Sequence, residues 1–304
     1  MIVTLPDTTT RDVSTALLEA RENYSLATGR VLTLLVAAHA EDDVASILET
    51  VRGATMEHPA RVIVLLLDGD SEHTWMDAEV LVAADAGASE MVVMTLHGEL
   101  TKHLDAVVTP LLLPDTPIVA WWPTTVPDIP AEAELGNIAH RRITNAWRTM
   151  GAECVDQLAK AYVPGDSDMM WSKITPWRGV VASAFDRYKK VPRTISLSGV
   201  AEHPSVSIAA AWLNACFGVA VTIENVNESD AIPGSPIQHL ALNCDDGSVQ
   251  VQIIDEHTVR VSVPGYPDAF VAISARSDAE CLAEELRHLD PDAMYARALL
   301  HRLT

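Results

Sequence analysis

The sequence lacks the motifs by which common enzymes and metal proteins are identified. No Gly-x-Gly-x-x-Gly fingerprint follows a predicted strand, and there is no phosphate-binding Gly-x-x-x-x-Gly-Lys-Ser/Thr loop. A Gly-x-Ser-x-Gly elbow and a His-Glu-x-x-His pair are missing too, and the eleven histidines are scattered. We therefore expect no catalytic residue, no metal site and no dinucleotide cofactor.

Positive charge is also scarce. The chain has 21 Lys and Arg against 42 Asp and Glu, a net charge of −21. A field of this sign does not attract nucleic acid or an anionic membrane, but it suits docking on a basic protein surface. The longest apolar runs, 31–38 and 62–67, have the length of strands rather than of membrane spans. Residues 1–11 do not resemble a secretory signal, so we expect a soluble cytoplasmic protein.

Cysteine is rare and dispersed. Cys154, Cys216, Cys244 and Cys281 form no Cys-x-x-Cys pair, which argues against a disulfide framework or a zinc site. Hydrophobic residues make up 48% of the chain, enough for a sizeable core.

The first half of the chain shows the pattern of an α/β domain. Two continuous apolar runs, 30–38 and 61–67, are typical of strands buried on both faces, and helical spacing over 41–56 between them predicts a βαβ unit. The other predicted elements are helices over 8–23, 100–113 and 150–162, a hairpin of strands 79–84 and 90–96, a strand over 117–123 and a short edge strand over 141–146.

The second half begins after a Pro-Gly break within 163–167. A strand over 194–197, an apolar helix over 205–217 closed by Gly218 and a strand over 219–226 predict a second βαβ unit. Four short strands then form an antiparallel meander, and Ser277-x-x-Glu280 is a capping box. We predict two α/β halves, 1–165 and 166–304, each with a mixed sheet built from a βαβ unit plus antiparallel strands and flanked by helices.

The most distinctive stretch is 166–178, which concentrates aromatic and charged residues. Thr175 is predicted to cap a helix with Pro176 in its first turn, and Trp177, Val181, Ala184 and Tyr188 then share one face. Arg178 would lie at the positive end of the helix dipole, which is unfavourable for a cation. Asp166 and Asp168 are the nearby carboxylates that would offset this cost.

Two pairs of tryptophans allow more than one interpretation. Trp121 and Trp122, at a strand end, fill the core or a domain junction more often than they form a recognition surface. For Trp171 and Trp177, the neighbouring Lys173 and Arg178 make a docking patch and a structural hinge about equally plausible. His39 and Asp68 also follow strand ends, where an ordinary loop position is the commoner explanation.

These segments resemble a known family. Trp-Ser-Lys-Ile-Thr-Pro-Trp-Arg at 171–178 is similar to the Trp-x-Arg-x-Thr-Pro-Trp-Arg signature of the OpcA-type glucose-6-phosphate dehydrogenase assembly proteins. Leu-Pro-Asp-Thr-Pro at 113–117, running into Trp121-Trp122-Pro123, resembles that family's second marked segment, and Arg141-Arg142-Ile143 its basic segment. Lys173 departs from the expected arginine and loses bidentate pairing.

The resemblance implies a non-catalytic activator that binds glucose-6-phosphate dehydrogenase and promotes NADPH production in the oxidative pentose phosphate pathway. On this hypothesis the dehydrogenase contacts are made by one set of residues: Trp171, Lys173, Thr175, Trp177, Arg178, Trp121 and Trp122, supported by Asp168 and Asp115. An alternative is a sugar-phosphate-binding enzyme or sensor, in which tryptophans stack the sugar and Arg178 holds the phosphate. In a third interpretation the stretch is only a hinge.

Overall fold

The structure, a computed structural model, describes residues 2–23, 31–81 and 90–302. Its strands and helices divide between two compact units that alternate along the chain. Unit 1 comprises residues 1–149, 163–169 and 277–291, and unit 2 comprises residues 150–162, 170–276 and 292–304. Within the described part of the chain, no helix is long and apolar enough to cross a membrane.

Unit 1 contains an eight-stranded mixed sheet in the order β1-β4-β5-β3-β2-β6-β7-β8. The strands are β1 (Ile2–Leu5), β2 (Leu32–His39), β3 (Ala60–Asp68), β4 (Met76–Leu81), β5 (Glu90–His97), β6 (Ile118–Trp122), β7 (Arg141–Thr144) and β8 (Asp166–Asp168). Of these, β4 runs antiparallel to both of its neighbours, β1 and β5. The predicted β2–helix–β3 unit and the antiparallel pairing of β4 with β5 are confirmed. The predicted connection around Gly87 lies outside the described residues.

Unit 2 contains a separate six-stranded sheet in the order β10-β9-β11-β12-β13-β14. The strands are β9 (Thr194–Val200), β10 (Val221–Val226), β11 (Ile237–Cys244), β12 (Gly247–Asp255), β13 (Thr258–Ser262) and β14 (Ala269–Ala272). The parallel pair β9–β10 and the antiparallel order from β11 to β14 confirm the second βαβ unit and the meander. The predicted fold class, two α/β halves with mixed sheets and flanking helices, is therefore confirmed.

Eleven helices flank these sheets in the described residues. They are α1 (Thr10–Asn23), α2 (Val44–Glu57), α3 (Leu104–Val108), α4 (Glu134–Ile138), α5 (Trp147–Met150), α6 (Cys154–Ala161), α7 (Met169–Lys173), α8 (Thr175–Arg187), α9 (Pro204–Phe217), α10 (Asp278–Arg287) and α11 (Ala293–Arg302). The left-handed Gly218, with φ 66°, ends α9 as predicted. Ser277 and Glu280 form the predicted capping box of α10.

Three predicted elements need correction. The strand predicted at the sheet edge, β7, is an interior strand, because the polar segment Asp166–Asp168 pairs with it as β8. The helix predicted over 100–113 is divided into a 3-10 turn that ends at Lys102, the short helix α3 and a second 3-10 turn over Thr109–Leu111, in which Pro110 offers no amide hydrogen. The helix predicted over 150–162 begins only at Cys154, after Gly151 with φ 61°.

The two compact units and the predicted boundary at 165/166 divide the chain differently. Strand β8 and helix α10 lie with unit 1, and helix α6 lies with unit 2. The division into sequence domains at that residue stays a prediction, because compact units and sequence domains need not have the same limits.

Helix α10 is joined to the sheet of unit 1 by buried charge. Arg141 on β7 forms an ion pair with Glu285 on α10, and the two side chains are only 4% and 3% exposed. Ser167 on β8 donates a hydrogen bond to the same carboxylate at 2.5 Å. Arg141 also donates to the Asp290 carbonyl oxygen at 3.0 Å. Removal of the carboxylate would leave a buried guanidinium without its counter-charge.

We predict that Glu285→Ala lowers the free energy of unfolding by about 3–5 kcal/mol, because the charge of Arg141 then stays buried and uncompensated. The measurement is urea unfolding followed by circular dichroism. Arg287→Ala is the matched control: it removes an exposed α10 ion pair with Glu57 at 3.0 Å and should cost at most about 1 kcal/mol. Equal losses in the two variants would contradict the assigned role of Glu285.

Candidate partner-binding segment

Residues 166–178, here called the signature segment, carry the chain from unit 1 into unit 2. Its first three residues form β8, where Asp168 is fully buried and accepts hydrogen bonds from Thr144 Oγ1 at 2.7 Å and the Ala146 amide at 2.8 Å. Asp166 forms a buried ion pair with Arg142. Both carboxylates that were candidates to offset Arg178 therefore have structural roles in the sheet of unit 1.

The two helices of the segment follow each other almost without a break. Ile174, between α7 and α8, has φ −90° and ψ −1° and provides no side-chain cap. The prediction that Thr175 is the N-cap is wrong, because Thr175 already belongs to α8 and its hydroxyl oxygen accepts a hydrogen bond from Arg178 at 2.6 Å. The predicted position of Pro176 in the first turn is confirmed.

A cation–π contact lies at the centre of this segment. The guanidinium carbon of Arg178 is 3.4 Å from the centroid of the Trp171 ring. Such a contact contributes about 0.5–2 kcal/mol and offsets the unfavourable place of a cation in the first helical turn. The Trp171 indole donates to Asp292 Oδ2 at 2.7 Å, and its ring lies 5.6 Å from that of Tyr295. Arg178 and Trp171 thereby connect α7 and α8 with the start of α11.

The four tryptophans of the candidate site are buried. Trp171 is 2% exposed and Trp177 is 5% exposed, with the Trp177 ring packed edge-on against Trp212 at 5.9 Å. Trp121 and Trp122 are 2% and 5% exposed. Because they are neighbours on β6, they point to opposite faces of the sheet and join different core clusters. In this conformation, the four rings offer a partner very little surface.

The candidate residues fall into two groups. Trp171, Lys173, Thr175, Trp177 and Arg178 lie together in unit 2, on α7 and α8. Trp121, Trp122, Asp168 and Asp115 lie in unit 1; Asp115 is exposed in the turn before β6, with φ 57°. A partner-binding role for these residues stays a prediction.

The predicted face of α8 is largely confirmed. Trp177, Val181 and Ala184 are buried at helical spacing. Tyr188 ends the helix instead, and its hydroxyl donates to Asp246 at 2.6 Å.

The carboxyl ends of the parallel strands in unit 1 carry a second polar region. Strand β2 lies between β3 and β6, so the strand order reverses there, as at the ligand-binding crevice of doubly wound folds. In that crevice Asp42 accepts hydrogen bonds from the His39 amide at 2.8 Å and from Thr124 Oγ1 at 2.6 Å. Asp43 caps α2 by accepting from the Ser46 amide at 3.1 Å. The position that suits a phosphate in other folds is lined by the chain's own carboxylates.

A group of polar and aromatic side chains surrounds His97 at the ends of β3 and β5. Of this group, the sequence singles out only Asp68. His97 Nδ1 lies 2.8 Å from Asp68, and its ring stacks on Trp75 with a centroid distance of 3.8 Å. Asp77, whose pKa is lowered mainly by the Asp7 amide, lies 3.5 Å from His97 Nε2. Asp68 and His97 are neighbours because β3 and β5 pair in a register that places them side by side. The sequence reveals this proximity only if that register is known. No group of three metal-binding side chains suited to an ion occurs among the described residues.

Comparison with known proteins gives a consistent family assignment. Residues 51–160 match the model of the glucose-6-phosphate dehydrogenase subunit N-terminal domain, and residues 164–299 match that of the C-terminal domain. No curated protein matches the chain.

Several solved oxidoreductases are distantly similar in structure. An oxidoreductase from Sinorhizobium meliloti has 10% identity and a TM-score of 0.49, with 89% of this chain and 95% of that chain covered. An NAD-binding oxidoreductase from Klebsiella pneumoniae has 10% identity and a TM-score of 0.46, with coverage of 89% and 94%. A 3-ketoreductase from Actinomadura kijaniata has 10% identity and a TM-score of 0.46, with coverage of 90% and 95%.

The half-buried Lys173 lies close enough to the start of α9 for its charge to influence the pKa of a histidine there. The pKa of His203 is lowered from 6.5 to about 4, mainly by burial and further by the charge of Lys173. Its Nδ1 accepts a hydrogen bond from the Ser205 amide at 3.1 Å and so caps the helix as the neutral form. Below pH 6.5 the unfolded chain binds a proton that the folded chain does not bind until about pH 4. Stability is therefore lost as the pH falls through this window.

We predict that His203→Asn, which keeps a capping oxygen but does not titrate, loses less stability on acidification than the wild-type protein. Between pH 7 and pH 4.5, the fall in melting temperature should be smaller by about 3 °C in the variant. His257→Asn, at an exposed histidine, is the control and should behave like the wild type. An unchanged pH dependence in His203→Asn would show that this histidine does not carry the effect.

Proposed function

The chain belongs to the family of OpcA-type glucose-6-phosphate dehydrogenase assembly proteins, and we propose that it is a non-catalytic protein that binds this dehydrogenase and raises its activity. The observation that carries the proposal is the match of both domain models of the dehydrogenase subunit, in order, over most of the chain. The protein then supports NADPH production in the oxidative pentose phosphate pathway, in the cytoplasm.

Activation by a bound protein has a simple thermodynamic basis. The protein must bind the active or assembled state of the dehydrogenase more tightly than the inactive state. A coupling free energy of about 1–3 kcal/mol corresponds to a 5- to 150-fold difference in affinity between the two states. Assembly and activation are then two consequences of one preferential contact, and no catalytic group of this chain is needed.

The arrangement at the carboxyl ends of β2 and β6 supports a non-catalytic role. Dinucleotide sites place a phosphate at the helix that follows the first strand, where amide hydrogens and the helix dipole attract negative charge. Here the carboxylates of Asp42 and Asp43 already accept the nearby hydrogen bonds from His39, Thr124 and Ser46. A phosphate in the same place would face two negative charges at short range.

Burial favours a supporting role for the tryptophans of the signature segment. Trp171 and Trp177 hold α7 and α8 against the rest of unit 2, so that they fix the helix rather than offer their rings to a partner. Lys173 and Arg178 are half-buried. The segment is therefore compatible with both the hinge and the docking interpretation: its tryptophan rings lie in the core, and its two cations are only partly buried.

The sensor alternative finds less support in this geometry. A sugar ring needs an open aromatic face, whereas Trp171 is 2% exposed and is covered by the guanidinium of Arg178. Pro176, in the first turn of α8, has no amide hydrogen, so the start of this helix has one fewer donor for a phosphate. A sugar-phosphate effector stays a prediction.

We predict that the protein, titrated into purified glucose-6-phosphate dehydrogenase, gives a saturable rise in the rate of NADPH formation. Arg178→Ala should reduce this rise severalfold, because the variant loses both the local charge and the stack that orders the start of α8. Arg11→Ala, at an exposed cation on α1, serves as the control. An unchanged rate with the wild-type protein would refute activation, and full activation by a folded Arg178→Ala would place the interface elsewhere.

A separate prediction concerns the crevice of unit 1. Calorimetry with NADP⁺ and NADPH should detect no binding to the isolated protein, because Asp42 and Asp43 repel the phosphates. Purified dehydrogenase provides the positive control in the same buffer. A dissociation constant tighter than about 100 μM, which corresponds to roughly 5–6 kcal/mol, would contradict the non-catalytic assignment.

A further inference from the structure

An exposed sheet edge and an apolar groove lie side by side in unit 2. Among the described strands, β14 ends the six-stranded sheet and pairs only with β13. Phe270 and Val271 on this strand are 66% and 36% exposed, and Tyr266 in the preceding loop is 54% exposed. Exposed edges with apolar side chains are sites for addition of a further strand unless the protein protects them.

The groove arises because α8 covers only part of the sheet. Helix α8 packs on β12 and β13, while β14 extends beyond it. The resulting space is about 340 Å³. Its apolar lining comes from α8 on one side and from β13 and β14 on the other: Pro176, Val180, Ala184, Val261, Ala269 and Val271. Pro176 belongs to the signature segment, so the segment and the groove share the start of α8.

The charge around the groove differs from that of the whole chain. Arg187 lines the groove, is exposed and forms no ion pair with the described residues. The interval 187–193 holds four of the chain's 21 basic residues, in a protein of net charge −21. Lys189, Lys190 and Arg193 pair with carboxylates, those of Asp186, Asp246 and Asp245, whereas Arg187 faces the groove. The groove therefore favours an occupant with a carboxylate near that end.

We propose that this groove and the edge of β14 bind an extended acidic segment of glucose-6-phosphate dehydrogenase. The segment pairs its backbone with β14 and places an apolar side chain between α8 and Val271. A carboxylate of the same segment contacts Arg187. This inference rests on the proposed function, since it assigns the contact surface for that partner.

Gly179 allows a test that does not damage the fold. It lies on α8 in the groove, and a Cβ added there meets no atom within 4 Å. Gly179→Leu therefore fills the groove, while replacement of glycine inside a helix favours folding by roughly 0.5–1 kcal/mol. Ala182→Leu adds the same side chain at an exposed site of α8 that does not line the groove. Arg187→Glu is matched by Lys189→Glu, at an exposed lysine outside the groove.

The measurement is the dissociation constant for purified dehydrogenase, with the rate of NADPH formation as a second readout. Gly179→Leu and Arg187→Glu should each weaken binding by about tenfold or more, as expected for central contacts of an interface. Ala182→Leu and Lys189→Glu should stay within about twofold. In the complex, hydrogen exchange should slow in β14, because its outward amides become paired.

The possible failures are distinguishable. If the wild-type protein neither binds nor activates the dehydrogenase, the proposed function fails and this inference fails with it. If the wild type binds and Gly179→Leu binds equally well, only the groove assignment is overturned. If Gly179→Leu instead abolishes self-association in sedimentation experiments and leaves dehydrogenase binding intact, the occupant is a second copy of the chain, which also overturns the proposal.

Discussion

The architecture of unit 1 depends on buried ion pairs around β7 and β8. Strand β8 has the sequence Asp-Ser-Asp, which has little intrinsic tendency to form a strand, yet all three residues are buried. Arg142 neutralises Asp166, and Ser167 shares the Glu285 carboxylate with Arg141. Without these partners the desolvation cost of the polar strand would exceed the gain from its backbone pairing. The sheet edge, the attachment of α10 and the exit of the chain toward unit 2 therefore depend on the same few charges.

This dependence extends to the signature segment, because β8 leads directly into α7 and α8. Trp171 and Trp177, beyond β8, are buried within unit 2, and Arg178 lies on the ring of Trp171. An arginine in the first turn of a helix thus becomes tolerable through an aromatic partner seven residues earlier. The same contact joins α7 to α8, and α8 forms one wall of the groove beside β14.

The sequence predicted the elements whose patterns are local and apolar. Strands β2 and β3, helix α9 with Gly218 and the capping box of α10 follow from runs, periodicity and caps that need no tertiary information. The sequence predicts a boundary where β8 lies, because the stability of this strand comes from Arg142 and from Glu285, the latter more than 100 residues away. The N-cap at Thr175 was wrong for a related reason, since α7 precedes α8 and the threonine hydroxyl is used by Arg178. The sequence favours core or junction positions for Trp121 and Trp122 but does not decide between hinge and docking patch for Trp171 and Trp177, because composition cannot say which side of a helix faces the core.

The buried tryptophans and a docking role are compatible once the functional surface is taken to be α8 rather than the rings themselves. Trp177 is buried on α8, and Trp171 on α7 stacks on Arg178 in the first turn of α8. Gly179, Val180 and Arg187 of the same helix line the groove. A distinctive sequence motif can therefore mark a binding region without supplying its contacts, by holding a short helix at a set distance from a sheet edge. On the proposed function, the cations near that helix select the kind of partner that approaches this strongly acidic chain. The signature segment would then serve to hold α8 in place, and the selectivity for a partner would come from the groove and Arg187.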